Sequence, residues 1–291
     1  VRVAEAIDTE LPWAVLLANT AGRAAMHGMV EVSRARYVFG TDFEREAERL
    51  ALGERLWDPG TIDRLTALGI GPGTRCLEVG AGRGSIAAWL VEQGASVTAL
   101  DLDTSRLEWL RDRDVSVVRG DIGADDLSET GYDVVHARLV VQHLGDRAAA
   151  VRRMCAALRP GGHLVLEDTD TASLFSTAAG VLHPDVKRAA YAVMTGAGYH
   201  PRCGLLDIDL ATEAGLADVR ADGRAEVVTG GTDQGRWFAL WLEHLRPAML
   251  AAGEVTAAQL DHAMADLADP RHRWLSQVMV TVTGRRPGET R

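Results

Sequence analysis

The stretch Arg75–Ser85, Arg-Cys-Leu-Glu-Val-Gly-Ala-Gly-Arg-Gly-Ser, constrains this chain more than any other. Cys76 to Val79 is a short apolar run that reads as a buried strand. It breaks at Gly80, Gly82 and Gly84, where alternate glycines let the backbone turn tightly and approach a ligand. A helical pattern follows at Ser85, with Ile86, Ala87, Trp89 and Leu90 on it and Gly94 as its stop. Strand, glycine turn and helix start together form the arrangement that cradles a nucleoside-type cofactor. A dinucleotide fingerprint would place its third glycine at position 85; here Gly84 comes one residue early, which weakens a pyrophosphate-binding reading and with it an NAD-type oxidoreductase.

Downstream, strands and helices alternate. The pattern predicts strands at 75–79, 96–100, 116–118, 132–136 and 163–167, and helices at 85–93, 104–111 and 147–158, the last stopped by Pro160-Gly161-Gly162. That alternation implies a parallel sheet with helices on both faces. Upstream, residues 1–36 read as an amphipathic helix, 43–52 as a charged helix, and Pro59 as the start of another. Downstream, 171–204 reads as lid or pocket-wall helices, 205–214 as a helix and 219–228 as a strand. An apolar helical stripe from Trp237 to Leu245, a helix at 256–267 and a final strand at 275–282 complete the chain. The expected organisation is a helical cap over 1–72, a cofactor-binding core over 73–170, a lid over 171–204, and a C-terminal part over 205–291 with a helical insertion at 235–268.

The formal net charge of -10 argues against a broad nucleic-acid groove and suits a small-molecule substrate. Cys76, Cys155 and Cys203 are widely spaced and odd in number, so no disulfide framework is expected and a reducing cytoplasm is the natural setting. No apolar run reaches the ~18 residues that suggest a membrane span. Glu5, Asp8 and Glu10 make the start unlike a secretory signal. A homodimer is compatible with the sequence, which does not set the oligomeric state.

Asp101 lies 21 positions beyond Gly80, close to the spacing of a strand-end carboxylate that accepts hydrogen bonds from both ribose hydroxyls. Leu102 then offers an apolar face to adenine. Arg119-Gly-Asp121-Ile122 repeats the logic at the next strand end, with Asp121 toward the adenine amino group and Ile122 over the other face of the ring.

These stretches together resemble the class I S-adenosylmethionine (SAM)-dependent methyltransferases across roughly 37–287, and most of all the small-molecule methyltransferases of actinobacterial secondary metabolism. The matching residues are Leu77-Glu-Val-Gly-Ala-Gly-Arg-Gly-Ser, Leu100-Asp-Leu-Asp, Tyr132-Asp-Val-Val-His-Ala-Arg-Leu-Val-Val-Gln-His-Leu and Ala157-Leu-Arg-Pro-Gly-Gly. The resemblance implies a Rossmann-like α/β fold with a seven-stranded, mostly parallel sheet whose last strand is antiparallel, with SAM as cofactor. It implies that Glu78 belongs to the first cofactor motif, that Tyr37 caps the methionyl end of SAM, and that the backbone at Ala137 and Arg138 touches SAM near the sulfonium.

On that frame His143 is the candidate base, since an imidazole accepts a proton near neutral pH; a purely structural role for it stays open. His136, within the strand, is expected to be structural. Glu167 and Asp168 end the fifth strand, and one of them, Asp168 foremost, is a candidate acceptor ligand or a loop-capping carboxylate. His27, with Glu31 and Arg34, forms either a solvated stripe or a polar face above the substrate. Tyr37, Tyr191, Trp237, Phe238 and Trp241 supply an aromatic lining. No metal is implied, because the histidines and carboxylates near the crevice lack ligand spacing. The expected reaction is methyl transfer from SAM to O, N or C of a small natural-product precursor. A protein that keeps SAM bound without transferring its methyl group, as in a rearrangement or cyclisation, fits the same motifs.

Overall fold

The computed structural model describes residues 43–288. The N-terminal stretch with its expected helix, His27 and Tyr37 lies outside the described residues. Seven strands form one sheet: β1 (Arg75–Val79), β2 (Ser96–Asp101), β3 (Val115–Arg119), β4 (Tyr132–Arg138), β5 (Leu158–Asp170), β8 (Ala217–Arg224) and β11 (Val278–Arg285). Their order is β3-β2-β1-β4-β5-β11-β8. β11 runs antiparallel to both β5 and β8, while β1 to β5 are parallel. This is the expected class I methyltransferase sheet. Its central strands are buried on both faces because helices cover both. α3 (Arg147–Ala157) and α5 (Cys203–Glu213) bury Val151, Met154, Cys203 and Leu210 against one face. α2 (Ser85–Glu92) and the end of α1 (Glu46–Ala67) bury Ile86, Leu90 and Leu65 against the other.

A separate apolar cluster lies above the carboxyl ends of the strands. α1 contributes Leu52, Leu56 and Trp57; α4 (Pro184–Gly196) contributes Val186, Ala190 and Met194. α6 (Asp233–Ala252) and α7 (Ala257–Ala268) contribute Phe238, Trp241, Leu260 and Leu267. The short strands β6 (Ser176–Thr177) and β7 (Gly180–Val181) pair antiparallel, as do β9 (Val227–Thr229) and β10 (Arg273–Leu275). β9 and β10 continue the arms of β8 and β11. They extend the β8–β11 hairpin into a ribbon whose tip carries α6 and α7. Residues 219–228 and 275–282 therefore do not form single strands. Both arms break at one level, where Ser276 binds Glu226 through its backbone N–H (2.9 Å) and its Oγ accepts the Glu226 N–H (2.9 Å).

Three further departures from the sequence pattern have local causes. The two helices expected around Pro59 are one, α1, with Pro59 inside it. The Trp57 carbonyl on this stretch accepts from Arg224 (3.0 Å), and Trp57 itself is fully buried. Tertiary packing thus holds the helix through a residue that usually breaks it. The helix expected at 104–111 is a pair of tight turns, Thr104–Arg106 and Glu108–Arg113, with three-residue hydrogen bonds Leu107 N→Thr104 O and Leu110 N→Leu107 O (both 2.9 Å). That period of three aligns Leu107 and Leu110 against Gly84. The fifth strand runs past 163–167 in both directions, since β4 pairs with it at Leu158 and β11 from His163 to Asp170.

Sheet register brings a set of charges together. Glu78 on β1 lies beside His136 on β4, and Glu167 on β5 lies beside Thr281 on β11. His136 is fully buried between two carboxylates, Nδ1 to Glu78 Oε2 at 2.7 Å and Nε2 to Glu167 Oε2 at 3.4 Å. Burial alone would lower its pKa; the two carboxylates outweigh that and raise it to about 9. Burial likewise works against an ionised Glu167, yet His136, Arg138 and Thr61 hold its carboxyl well below the usual range. Thr281 Oγ1 donates to Glu167 Oε1 (2.7 Å), Thr61 Oγ1 donates to Oε2, and Arg224 lies 3.5 Å from Oε1.

Because the folded pKa of His136, about 9, exceeds its ordinary 6.5, this contribution is complete below about pH 6.5 and is lost as pH rises through 9. Glu167, shifted the other way, loses its contribution only as pH falls below the ordinary carboxylate range. His136→Leu, which strands two carboxylates without their cation, is expected to cost about 3–5 kcal/mol at pH 6. Urea unfolding at pH 6 and pH 9 checks this: the wild type loses roughly 3 kcal/mol across the interval and the variant less.

Candidate active site

A cavity of about 990 Å³ opens over the carboxyl ends of β1, β2, β4 and β5 and continues under α4 and α6. One end is built by the glycine turn. Gly80 N and Ala81 N both donate to Leu100 O (2.8 and 3.2 Å), which ties the turn to the end of β2. Gly82 has a positive φ of 60°, and a Cβ there would meet only the Gly80 carbonyl, 4.0 Å away, so the turn faces open space. Gly84 differs: a Cβ on it would come within 2.4 Å of Leu110, so this glycine serves packing beneath the site. Asp101 Oδ2 accepts from Gly82 N (2.8 Å) and Oδ1 from Asp103 N (2.9 Å). Burial, only partly offset by these hydrogen bonds, raises its pKa. Each oxygen keeps a further lone pair for another donor. Leu102, 53 % exposed, stands at the rim, and buried Ile122 also lines the space. Asp121 accepts from Gly123 N (2.8 Å) through Oδ1 and lines the same wall.

In the middle of the cavity stand Glu78, Arg138, Leu139 and Val140. Two of the residues expected at the cofactor make contacts inside the protein: Glu78 Oε2 holds His136, and Arg138 donates to Asp58 Oδ1 (2.7 Å) and Thr61 Oγ1 (2.9 Å). Ala137 is fully buried within β4 and does not line the cavity, unlike its expected role. Leu139, the next residue but one, does line it. It sits at φ 57°, a left-handed conformation that costs a side-chain-bearing residue about 1–3 kcal/mol, and its N–H is held by Glu167 O at 2.7 Å.

The far end is aromatic. Tyr191, Tyr199, Trp237, Phe238 and Trp241 line it with Met194, whose sulfur accepts from Trp241 Nε1 at 3.2 Å. Tyr191 stacks on Tyr199 with ring centres 6.0 Å apart and meets Trp241 at 5.4 Å. Glu46 and Arg49 form a buried pair through two bonds of 2.7 Å and line the same region.

His143 lines the cavity here, but its surroundings oppose a proton-accepting role. The Thr169 N–H can only donate, and it binds Gln142 Oε1 (3.2 Å). That fixes the amide, whose Nε2 then donates to His143 Nε2 (3.3 Å). The same oxygen accepts from Thr169 Oγ1 (2.9 Å), so the Tyr199 hydroxyl must donate to Thr169 (2.9 Å). His143 is thereby set as the neutral tautomer with its proton on Nδ1. Burial, with Arg49 and Arg147 adding, pushes its pKa down to about 3. An imidazole so weakly basic is a poor general base.

Asp168 does not reach the cavity. Side chains alternate along β5, so Glu167 and Thr169 face α1 and the cavity while Asp168 faces α5. There it lies fully buried beside Asp207, with Oδ1 accepting from Gln142 N at 3.3 Å. Burial and the Asp207 carboxylate hold its pKa well above the usual range. Its candidacy as an acceptor ligand is therefore corrected. Gln142, Thr169, Tyr199, Glu46 and Arg49 were missed by sequence reasoning. Gln142 had a signal, since it adjoins His143 in the strand-four motif; the others come from distant elements that carry no motif.

A family model described as a methyltransferase domain matches residues 45–266. The chain belongs to this family. It is 34% identical over 123 residues to a demethylmenaquinone methyltransferase of Mycobacterium sp. (strain KMS), covering 42% of this chain and 52% of that protein. A demethylmenaquinone methyltransferase of Beutenbergia cavernae is 34% identical over 125 residues, covering 42% and 51%. The chain thus spans about half the length of the curated relatives it matches. Among solved structures, a Bacillus halodurans protein assigned to the methyltransferases superposes with a TM-score of 0.51 at 17% identity, covering 77% of this chain and 98% of that one. The YcgJ protein of Bacillus subtilis does so with a TM-score of 0.51 at 13% identity, covering 77% and 97%. These likenesses reflect the shared fold.

The cofactor of this methyltransferase-domain protein is SAM, and the residues present fit it. Gly82 leaves its approach open, Asp101 retains acceptor capacity for a diol, and Leu102 and Ile122 offer apolar surface for adenine. Asp101→Ala removes that acceptor and also releases Gly82 N and Asp103 N. The expected loss of SAM affinity is about 1–3 kcal/mol, roughly 5- to 150-fold. Calorimetric titration with SAM reads it directly, and an affinity equal to wild type would remove the ribose assignment.

Proposed function

We propose that this protein transfers the methyl group of SAM to a small, flat aromatic acceptor, a natural-product precursor with an O, N or C nucleophile. The observation that carries this reading is the continuity of the cavity. One space runs from the glycine turn and Asp101, past Leu139, to the wall formed by Tyr191, Tyr199, Trp237 and Trp241. When bound, SAM supplies an electrophilic methyl group on a cationic sulfur. What remains for the protein is to hold an acceptor in line and keep water away, an effect worth up to about 7–11 kcal/mol in favourable cases. Trp237, Phe238, Trp241 and Met194 provide an apolar, close-packed wall for a ring. The hydrogen-bond chain Tyr199–Thr169–Gln142–His143 fixes the polar edge of that wall.

With His143 neutral and its Nε2 engaged by Gln142, the acceptor end favours a nucleophile that needs no strong base, such as an amine or a readily ionised phenol or enol. The demethylmenaquinone methyltransferases among its relatives support methyl transfer to a small organic acceptor; they do not fix which acceptor this protein takes.

The test is incubation with SAM and a panel of phenols, quinols and aromatic amines, followed by mass spectrometry of both products. The expected result is S-adenosylhomocysteine in a one-to-one ratio with a methylated aromatic compound. Conversion of an acceptor with no S-adenosylhomocysteine released would instead indicate a non-transferring use of SAM. Trp241→Ala is expected to raise KM for the acceptor about tenfold, near 1.4 kcal/mol, with SAM affinity unchanged.

A further inference from the structure

Away from the cavity, three histidines converge on one carboxylate. His183 is the N-cap of α4, in a left-handed conformation at φ 47°. His262 and Asp266 lie one turn apart on α7, and His272 lies in the loop that leads into β10. His183 Nε2 is 2.9 Å from Asp266 Oδ2, His262 Nε2 is 3.4 Å from the same oxygen, and His272 Nδ1 is 3.5 Å from it. The His183 and His262 rings meet edge to face with centres 5.1 Å apart. None of the four residues lines the cavity.

Hydrogen bonding does not account for this arrangement. A carboxylate oxygen has two lone pairs, so one atom cannot serve three imidazole N–H donors well. Of the three approaches only that of His183 is a hydrogen bond. His272 Nδ1 is buried and has no hydrogen-bond partner. The spacings do fit ligands around an ion. Zn–N and Zn–O bonds of about 2.0–2.2 Å in a tetrahedron set ligand atoms roughly 3.4 Å apart. The ligand atoms of His183, His262 and Asp266 all lie within 4.8 Å of one another.

We propose that His183, His262 and Asp266 form a structural site for a divalent transition-metal ion of the zinc class, with His272 Nδ1 beside the shared carboxylate oxygen. Imidazole and carboxylate donors favour zinc, cobalt or nickel over magnesium or calcium, which take all-oxygen sites. The position of this group outside the cavity distinguishes a structural ion from a catalytic one. The ion joins the start of α4 to α7, two segments far apart in the chain. α4 carries Tyr191 and Met194, so the ion braces the aromatic wall from outside. The absence of a metal expected from the sequence concerned the crevice; this cluster lies elsewhere, and only the four-residue step from His262 to Asp266 was visible in the chain.

Untagged full-length protein, stripped with a chelator, is titrated with Zn²⁺ by calorimetry and with Co²⁺ by visible absorption. The expected result is one ion per chain, the intense visible bands of tetrahedral Co²⁺, and a rise in Tm with Zn²⁺ but not with Mg²⁺. His262, 72 % exposed at its side chain, can be removed without disturbing the core. His262→Ala and Asp266→Asn are expected to weaken Zn²⁺ binding at least 100-fold and abolish the Tm rise, while binding SAM as the wild type does. Saturation by Zn²⁺ only at millimolar concentration, or binding equally tight in His262→Ala, would overturn the site.

Discussion

The buried carboxylate of Glu167 sets the terms for the rest of this structure. An ionised group with no exposure to water is tolerated only if every lone pair is met and its charge is countered. Here the partners come from α1, β4, β8 and β11: Thr61, His136, Arg224 and Thr281. No two of these elements are neighbours in the chain except through long connections, so the node forms only when the sheet is in register and α1 lies across it. Arg224, beside Glu167, also binds the Trp57 carbonyl and so ties α1 to β8.

The node continues into the site. His136 passes the charge to Glu78 at the root of the glycine turn, and the Glu167 carbonyl holds Leu139 in its left-handed conformation at the cavity wall. One residue further along β5, the alternation of side chains sends Asp168 to the opposite face, where it binds the Gln142 N–H. Gln142 in turn orients His143. The cofactor end and the acceptor end of the cavity thus rest on successive residues of one strand. A protonated His136 and a neutral His143 arise from the same burial: two carboxylates flank the first, while Arg49 and Arg147 act on the second.

Periodicity and turn chemistry carried much of this in the sequence itself. The alternation of apolar runs and glycine stops sufficed for the parallel sheet, because strands buried on both faces are mostly apolar. The glycine turn, Asp101, Leu102, Asp121 and Ile122 were legible because a strand-end site is local: each residue follows its strand by a fixed number of positions. These all line the one cavity, as do Tyr191, Trp237 and Trp241, whose helical stripe faces inward. Element ends were less legible. A period of three in Leu107 and Leu110 produces tight turns where a helix was expected, and Gly84 owes its place to those two leucines.

Sequence alone determined the fold class, the glycine-turn end of the cavity and the kind of cofactor, since these depend on short-range spacing that the backbone obeys whatever surrounds it. Tertiary structure alone decided protonation, direction and convergence. Whether a histidine is charged depends on what is buried beside it, and whether Asp168 meets the cavity depends on which side of the pleat it falls. The gathering of His183, His262, Asp266 and His272 depends on how α4 and α7 pack. Such properties arise between residues far apart in the chain, where spacing holds no information.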